Sequence, residues 1–217
     1  MTLVAFHGRL GSGKDTAGER LAAMVDVSTH RLSFARMLKE SAAAQFDIPV
    51  EDWETYKNDP DVKVLFQVGW EQVHEWASDG GAIVEQPKII KEFTAREVLQ
   101  RWGTEAHRQI FGDNFWVDQA FTSYDAQQSH QNALYYVTDC RFENEALAVL
   151  NRGGCVVNII GANEDTGTHA SETPLPAGYI TFEIDNTVRD DDFHQLDMQL
   201  KGLASMLRIP LKKEMLV

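Results

Sequence analysis

The chain has 217 residues and a mass of 24.5 kDa, the size of one moderate domain with room for an insertion. Its 20 Lys and Arg against 33 Asp and Glu leave a net charge of −13. That field argues against nucleic-acid backbones and anionic membrane surfaces as partners, while a small anion can still enter a local nest of donors.

Two cysteines, Cys140 and Cys155, sit in apolar runs and read as buried reduced thiols. No run approaches the roughly 18 apolar residues of a membrane span. The start, Met1-Thr2-Leu3-Val4-Ala5-Phe6, lacks a cationic leader, so a cytoplasmic protein is expected.

Short apolar runs alternate with longer amphipathic stretches, the pattern of an α/β domain with a mostly parallel sheet. The first strand, Leu3–His7, is nearly all apolar, as a strand covered on both faces should be. It runs into Gly8-Arg9-Leu10-Gly11-Ser12-Gly13-Lys14-Asp15-Thr16, which opens a helix over Lys14–Met24. The spacing Gly-x-x-x-x-Gly-Lys, with a strand before and a helix after, is that of a phosphate-binding loop. Glycines let successive N–H groups turn inward around a phosphate, and the helix start adds its positive dipole end. Lys14 then reaches the β- and γ-phosphates. Asp15 stands where a hydroxyl residue usually follows the lysine, and the hydroxyl comes one place later at Thr16. Thr16 is therefore expected at the α- or β-phosphate. Asp15 either holds a metal through water or only favours the helix N-terminus.

A strand over Arg31–Phe34 and a helix over Ala35–Gln45 come next. Residues 49–93 have another texture, with Trp53, Tyr56, Trp70 and Trp76 among many acids and Asp59-Pro60 and Gly80-Gly81 as breakers. A helix over Val62–Ala77 is expected there, inside a helical excursion that either closes over a ligand or simply covers the core. A helix over Thr94–Ile110 then puts Val98, Leu99, Trp102, Ala106 and Ile110 on one face. Glu97, Arg101, Thr104 and Arg108 share the opposite face, the last three within about 40° of Glu97. A solvated face would carry the same charges, but Gly103 at the helix centre points to a close neighbour.

Beyond a helix over Asn114–Gln128, the strand Leu134–Asp139 ends in a carboxylate at the edge where open parallel sheets bind ligands. Asp139 is placed to orient hydrated Mg²⁺ or to accept a proton from an attacking oxygen; the plain alternative is a cap on the helix that follows, over Asn144–Asn151. Arg141 either stabilises a transferred phosphoryl group or forms a surface ion pair. A strand over Cys155–Ile160 leads into residues 161–178, polar and carrying Pro174 and Pro176, which suit a lid. A last strand, Thr181–Ile184, and a helix over Asp191–Leu207 complete the chain.

Taken together, several strings resemble the phage deoxynucleoside monophosphate kinases. They are Gly11-Ser12-Gly13-Lys14-Asp15-Thr16, Leu32-Ser33-Phe34-Ala35 with Leu38-Lys39, and Leu99-Gln100 with Gly103-Thr104-Glu105 and Arg108. Phe115-Trp116-Val117, Asp139-Cys140-Arg141-Phe142 with Asn144-Glu145, and His169-Ala170-Ser171-Glu172 continue the series in order. The resemblance implies one P-loop kinase domain over residues 1–217, with a five-stranded sheet flanked by helices and a helical substrate-binding insertion at 49–93. It implies transfer of the ATP γ-phosphoryl group to a deoxynucleoside 5′-monophosphate, with Mg²⁺.

By the same resemblance, Gly8, Arg9, Gly11, Ser12, Gly13, Lys14, Asp15 and Thr16 would hold ATP, and Lys14, Asp139 and Arg141 would be catalytic. Thr16 and Asp139 would meet the metal through water. Lys39, Gln100, Thr104, Glu105 and Arg108 would bind the monophosphate, His169 and Glu172 would close over the phosphates, and Asp185-Asn186 would approach the adenine. A homodimer in a host cytoplasm is the assembly that the resemblance suggests. Cys140 departs from the family's commoner aliphatic residue, and residues 49–93 show little alignable pattern, so base preference stays open. Other readings are a P-loop kinase for another small molecule or a modified pyrimidine in DNA, an ATP-driven switch subunit, and a nucleotide-binding module without catalysis.

Overall fold

The structure, a computed structural model, describes residues 1–75, 82–126, 132–162, 174–188 and 192–215, with the backbone alone at residues 54, 66–75, 82–90 and 123. The chain forms two compact units, Met1–Met37 with Phe111–Val217, and Leu38–Ile110.

In the first unit, β1 (Thr2–His7) enters α1 (Lys14–Met24), and β2 (Ser28–Leu32) is followed by the start of α2 (Phe34–Phe46). The second unit holds the rest of α2, then α3 (Val50–Tyr56), β3 (Lys63–Glu75), β4 (Ala82–Thr94) and α4 (Ala95–Gly103). A π-helical stretch, Thr104–Arg108, continues α4 into α5 (Gln109–Phe111). The first unit resumes with α6 (Phe115–Ala126), β5 (Ala133–Val137), α7 (Glu143–Asn151), β6 (Cys155–Gly161), β7 (Phe182–Asn186) and α8 (His194–Met206).

The five strands of the first unit make a parallel sheet in the order β2-β5-β1-β6-β7. Val4 of the central strand faces Tyr136 on one side and Cys155 on the other. Alternation along β1 feeds two cores. Val4 and Phe6 pack with Leu21 of α1 and Leu200 and Leu203 of α8, while Leu3 and Ala5 pack with Phe121 of α6 and Val149 of α7. Covering both faces explains why β1 and β5 read as unbroken apolar runs. The connection leaving β1 through α1 and the one leaving β5 through α7 thus run on opposite faces. Neighbouring strands whose connections diverge in this way leave a crevice beyond their carboxyl ends, where ligands bind in such sheets.

The expected helix over Val62–Ala77 is not what forms. Of that stretch, Lys63–Glu75 form β3, which pairs antiparallel with β4, Val64 opposite Phe93 and Val73 opposite Val84, with irregular register near Phe66 and Trp70. Within 49–93 the described helix is α3 alone, so the excursion is chiefly a β-hairpin. Its residues are rich in Val, Ile, Phe and Trp, which suit a pleated surface better than a helix. The strand expected over Arg31–Phe34 also shifts, to Ser28–Leu32, because Phe34 already opens α2.

The second unit has its own core. Trp53 and Ala42 are fully buried with Ala95, Val98 and Leu99, and Phe46 meets Trp53 and Trp102 edge-on at centroid distances of 6.1 and 5.4 Å. Thr94 starts α4 with a capping box: its hydroxyl accepts from Glu97 N–H, and its own N–H donates to the Glu97 carboxylate at 2.8 Å. Those bonds hold the Glu97 carboxyl below its usual range. Gly103 meets a close neighbour, as expected, and it is a side chain of the same unit: a Cβ there would lie 3.2 Å from Leu38.

Candidate active site

Gly8 to Gly13 form the turn between β1 and α1. Gly8, Gly11 and Gly13 have φ of 147°, 73° and 101°, values that a side chain would strain. Packing forbids one as well: a Cβ on Gly8 would lie 2.5 Å from the Ile159 main-chain oxygen at the end of β6. Lys14 is buried at 8% exposure, and its ammonium donates to the carbonyls of Gly8 and Arg9, both at 2.7 Å. The cation is thus gathered onto the turn that α1 opens, adding to the positive end of the helix dipole. Ser12 Oγ is buried and has no hydrogen-bond partner among the described residues. An orphaned hydroxyl is unusual in a packed interior, and in such a turn it fits a phosphate oxygen. Thr16 lies half-buried in the first turn of α1, while Arg9 and Asp15 are exposed.

Asp15 is tied laterally. Its carboxylate accepts from the Thr138 hydroxyl at 2.6 Å and pairs with the Arg31 guanidinium, which also reaches Glu19 at 3.1 Å and Thr138 at 2.8 Å. Asp139 is held differently. Its Oδ2 accepts from Ser33 Oγ at 2.7 Å and Ala35 N–H at 2.8 Å, and its Oδ1 accepts from Phe34 N–H at 3.2 Å. The carboxylate therefore caps α2, rather than the helix directly after it. Three donors leave about one lone-pair site of a carboxylate open. Glu145, buried at 3% exposure, takes the capping role on α7 by accepting from Arg141 and Phe142 N–H at 2.7 and 3.0 Å. Arg141 is half-buried at the start of that turn.

Two further residues reach this region. His7, buried at the end of β1, places Nδ1 3.1 Å from the Cys140 carbonyl and accepts from Leu175 N–H through Nε2 at 3.3 Å. Leu175 is thus anchored to the end of β1 and packs in the core, while residues 163–173 of the expected lid lie outside the described residues. Asn186, at the end of β7, donates to the Ser12 carbonyl at 2.8 Å. His169 and Glu172 lie outside the described residues.

The remaining predicted residues all belong to the second unit. Gln100, Thr104 and Glu105 are exposed, and Arg108 and Lys39 are half-buried. The polar face drawn at α-helical spacing does not run through, because the π stretch begins at Thr104 and spends an extra residue on its turn. Glu105 instead pairs with Arg101 at 3.1 Å, and Arg101 stacks over Phe93 at 4.9 Å. Beside them is a cavity of about 540 Å³ lined by Phe46, Phe93, Val98, Trp102, Arg101 and Glu105 among others. Three aromatic rings and one ion pair line it.

The strand order and the phosphate loop define a P-loop kinase fold. No protein-family model matches the chain. It is 23% identical over 253 residues to the deoxynucleoside-5′-monophosphate kinase of Escherichia phage T5, spanning 96% of this chain and 98% of that one. A crystal structure of shikimate kinase from Bacteroides thetaiotaomicron aligns over 96% of this chain and 99% of its own, at 13% identity and a TM-score of 0.36. The phage relative supports a P-loop kinase of some kind. Among the described residues no helix is long and apolar enough to cross a membrane.

Proposed function

We propose that this protein transfers the γ-phosphoryl group of ATP to deoxynucleoside 5′-monophosphates, giving the diphosphates. The observation that carries the reading is the turn at Gly8–Lys14, where glycine backbone, a buried ammonium and an orphaned hydroxyl meet at a helix N-terminus. The acceptor class is supported by the name of the phage T5 relative and by the ordered strings from residue 8 to about 186 that resemble that family.

In this reading an oxygen of the acceptor phosphate forms a bond to the γ-phosphorus as the bond to the β–γ bridging oxygen breaks, and ADP leaves. The acceptor is already an anion, so positioning and charge stabilisation carry the catalysis and no strong base is needed. Lys14 releases the loop carbonyls to follow the charge of the moving group. Arg141 offsets the repulsion between the two anions. Lys39 and Arg108 attract the acceptor phosphate, and the base lies against Phe46, Phe93 and Trp102.

Among the described residues no three His, Cys, Asp or Glu side chains gather to cage a metal. Thr16 and the open site of Asp139 fit an ion that arrives with ATP and is reached through water. When bound, Mg²⁺ supplies neutralisation of the β- and γ-oxygens.

The test is ADP release from ATP and Mg²⁺ with each common deoxynucleoside monophosphate in turn. Turnover that depends on the acceptor supports the reading. Hydrolysis without an acceptor, or stimulated by DNA, overturns it in favour of an ATP-driven switch.

A further inference from the structure

The end of β7 reaches the phosphate loop through one side chain. Asn186 is buried at 6% exposure, and its Nδ2 donates to the Ser12 main-chain oxygen at 2.8 Å. Two glycines make room for this contact. A Cβ on Gly13 would lie 2.4 Å from that same nitrogen, and a Cβ on Gly161 would lie 2.6 Å from Cα of Ser12. Gly161 and Asn186 face each other across the β6–β7 pair, so the turn rests on two adjoining strand ends.

The base under Asn186 is itself tied down. The neighbouring Asp185 donates its N–H to Gln199 Oε1 at 2.9 Å, and its carbonyl accepts from Gln199 Nε2 at 2.7 Å. Its carboxylate accepts from Thr187 N–H and the Thr187 hydroxyl at 2.9 and 2.6 Å. The amide therefore projects from a fixed strand end into a turn that contains three glycines, the residue type that loses the most freedom on ordering.

Peptide planarity gives the contact its meaning. The Ser12 carbonyl and the Gly13 N–H belong to one trans peptide plane, so they point in opposite directions. Fixing that oxygen on Asn186 aims the Gly13 N–H away from β7, as one of the inward donors that a phosphate nest needs.

We infer that Asn186 is a positioning residue: its amide locks the Ser12–Gly13 peptide in the orientation that receives the triphosphate of ATP. The inference rests on the proposed kinase reading and adds to it a residue 174 positions away from the loop it serves. Without the amide the peptide turns freely, and a loop that is competent about one time in ten binds about tenfold more weakly.

Asn186→Asp is the informative variant, because it keeps the shape, removes the donor and sets a carboxylate against the Ser12 oxygen. Calorimetric titration of the full chain should show ATP binding weakened about tenfold or more, with the affinity for the acceptor monophosphate unchanged. In turnover, KM for ATP should rise by the same factor while kcat at saturating ATP stays within about twofold, a split that general loss of packing would not produce. Should Asn186→Asp fail to fold, Asn186→Ala, which adds no charge, decides the matter by the same measurements. A folded variant that binds ATP as the wild type does overturns the positioning role alone. A wild type that binds no ATP overturns the kinase reading beneath it.

Discussion

The carboxylate of Asp139 holds the hydroxyl of Ser33 at 2.7 Å across 106 residues of chain. Because Phe34 and Ala35 N–H point to the same carboxylate, the segment just past β5 that carries Asp139 and the start of α2 are fixed together. Ser33→Ala should cost about 1 kcal/mol and Asp139→Ala about 1–3 kcal/mol, read as shifts in urea midpoint. Asp139→Asn keeps an acceptor oxygen but loses the charge, so its transfer rate should fall about a hundredfold and its Mg²⁺ requirement should rise. An Asp139→Asn enzyme with normal rate and Mg²⁺ dependence would leave the residue only its role at the helix.

Lys14→Ala should lower kcat by about 10²–10³-fold in a protein that remains folded by circular dichroism, since the ammonium acts on charge that develops during transfer. Near-normal turnover in that variant would remove Lys14 from the chemistry.

The cavity beside Phe46, Phe93 and Trp102 gives an independent check on the acceptor. Replacing Trp102 by Leu should raise KM for the monophosphate about tenfold and leave KM for ATP unaltered, the size expected for losing one stacked ring. Equal changes in both constants would mean that Trp102 only supports the unit's packing, together with its hydrogen bond to Ser41 at 3.2 Å.

Much of the first unit is legible in the sequence, because its inner strands β1, β5 and β6 are doubly covered and so read as short apolar blocks between amphipathic helices. The β3–β4 hairpin is not legible by the same rule. Val64, Phe66, Val68 and Trp70 alternate as a strand would, yet Val62, Phe66, Val73 and Ala77 also satisfy helical spacing, and the two periods compete in one window. The β-forming residues on both sides of Ser78-Asp79-Gly80-Gly81 were the signal that favoured a hairpin. In the site, Lys14 and the loop glycines announce themselves by spacing. Ser33, Arg31, Thr138 and Asn186 do not, because their roles come from contacts between distant strand ends that no local pattern encodes.

The Gly103–Leu38 contact makes a separable prediction about the second unit. Gly103→Val should destabilise it by about 1–3 kcal/mol, since branched methyls must enter space already filled by Leu38. Trimming the neighbour in a Leu38→Ala/Gly103→Val pair should recover part of the loss, a coupling that a double-mutant cycle measures. Simple addition of the two costs would show that the contact does not govern the site.

Burial pushes the Cys155 thiol up to about 12, and burial, reinforced by Glu145 and Asp139, raises the Cys140 thiol well above its ordinary value. Each thiol holds its proton more tightly folded than unfolded. The stability they contribute is full below about pH 8.5 and is lost as pH climbs toward the folded values, by up to about 1.4 kcal/mol per pH unit for each. Urea midpoints between pH 8 and 10 should fall less steeply for Cys155→Ala than for the wild type. Neither thiol should react with a disulfide reagent until the protein is unfolded.

β2 and β7 form the two borders of the parallel sheet. Ser28, Thr29, His30 and Arg31 are exposed along one, and Glu183 and Asp185 along the other. A strand from a neighbouring molecule would meet polar and charged side chains at either margin, a known deterrent to ribbon-like growth. Ribbon-like pairing between copies is thereby disfavoured at both margins.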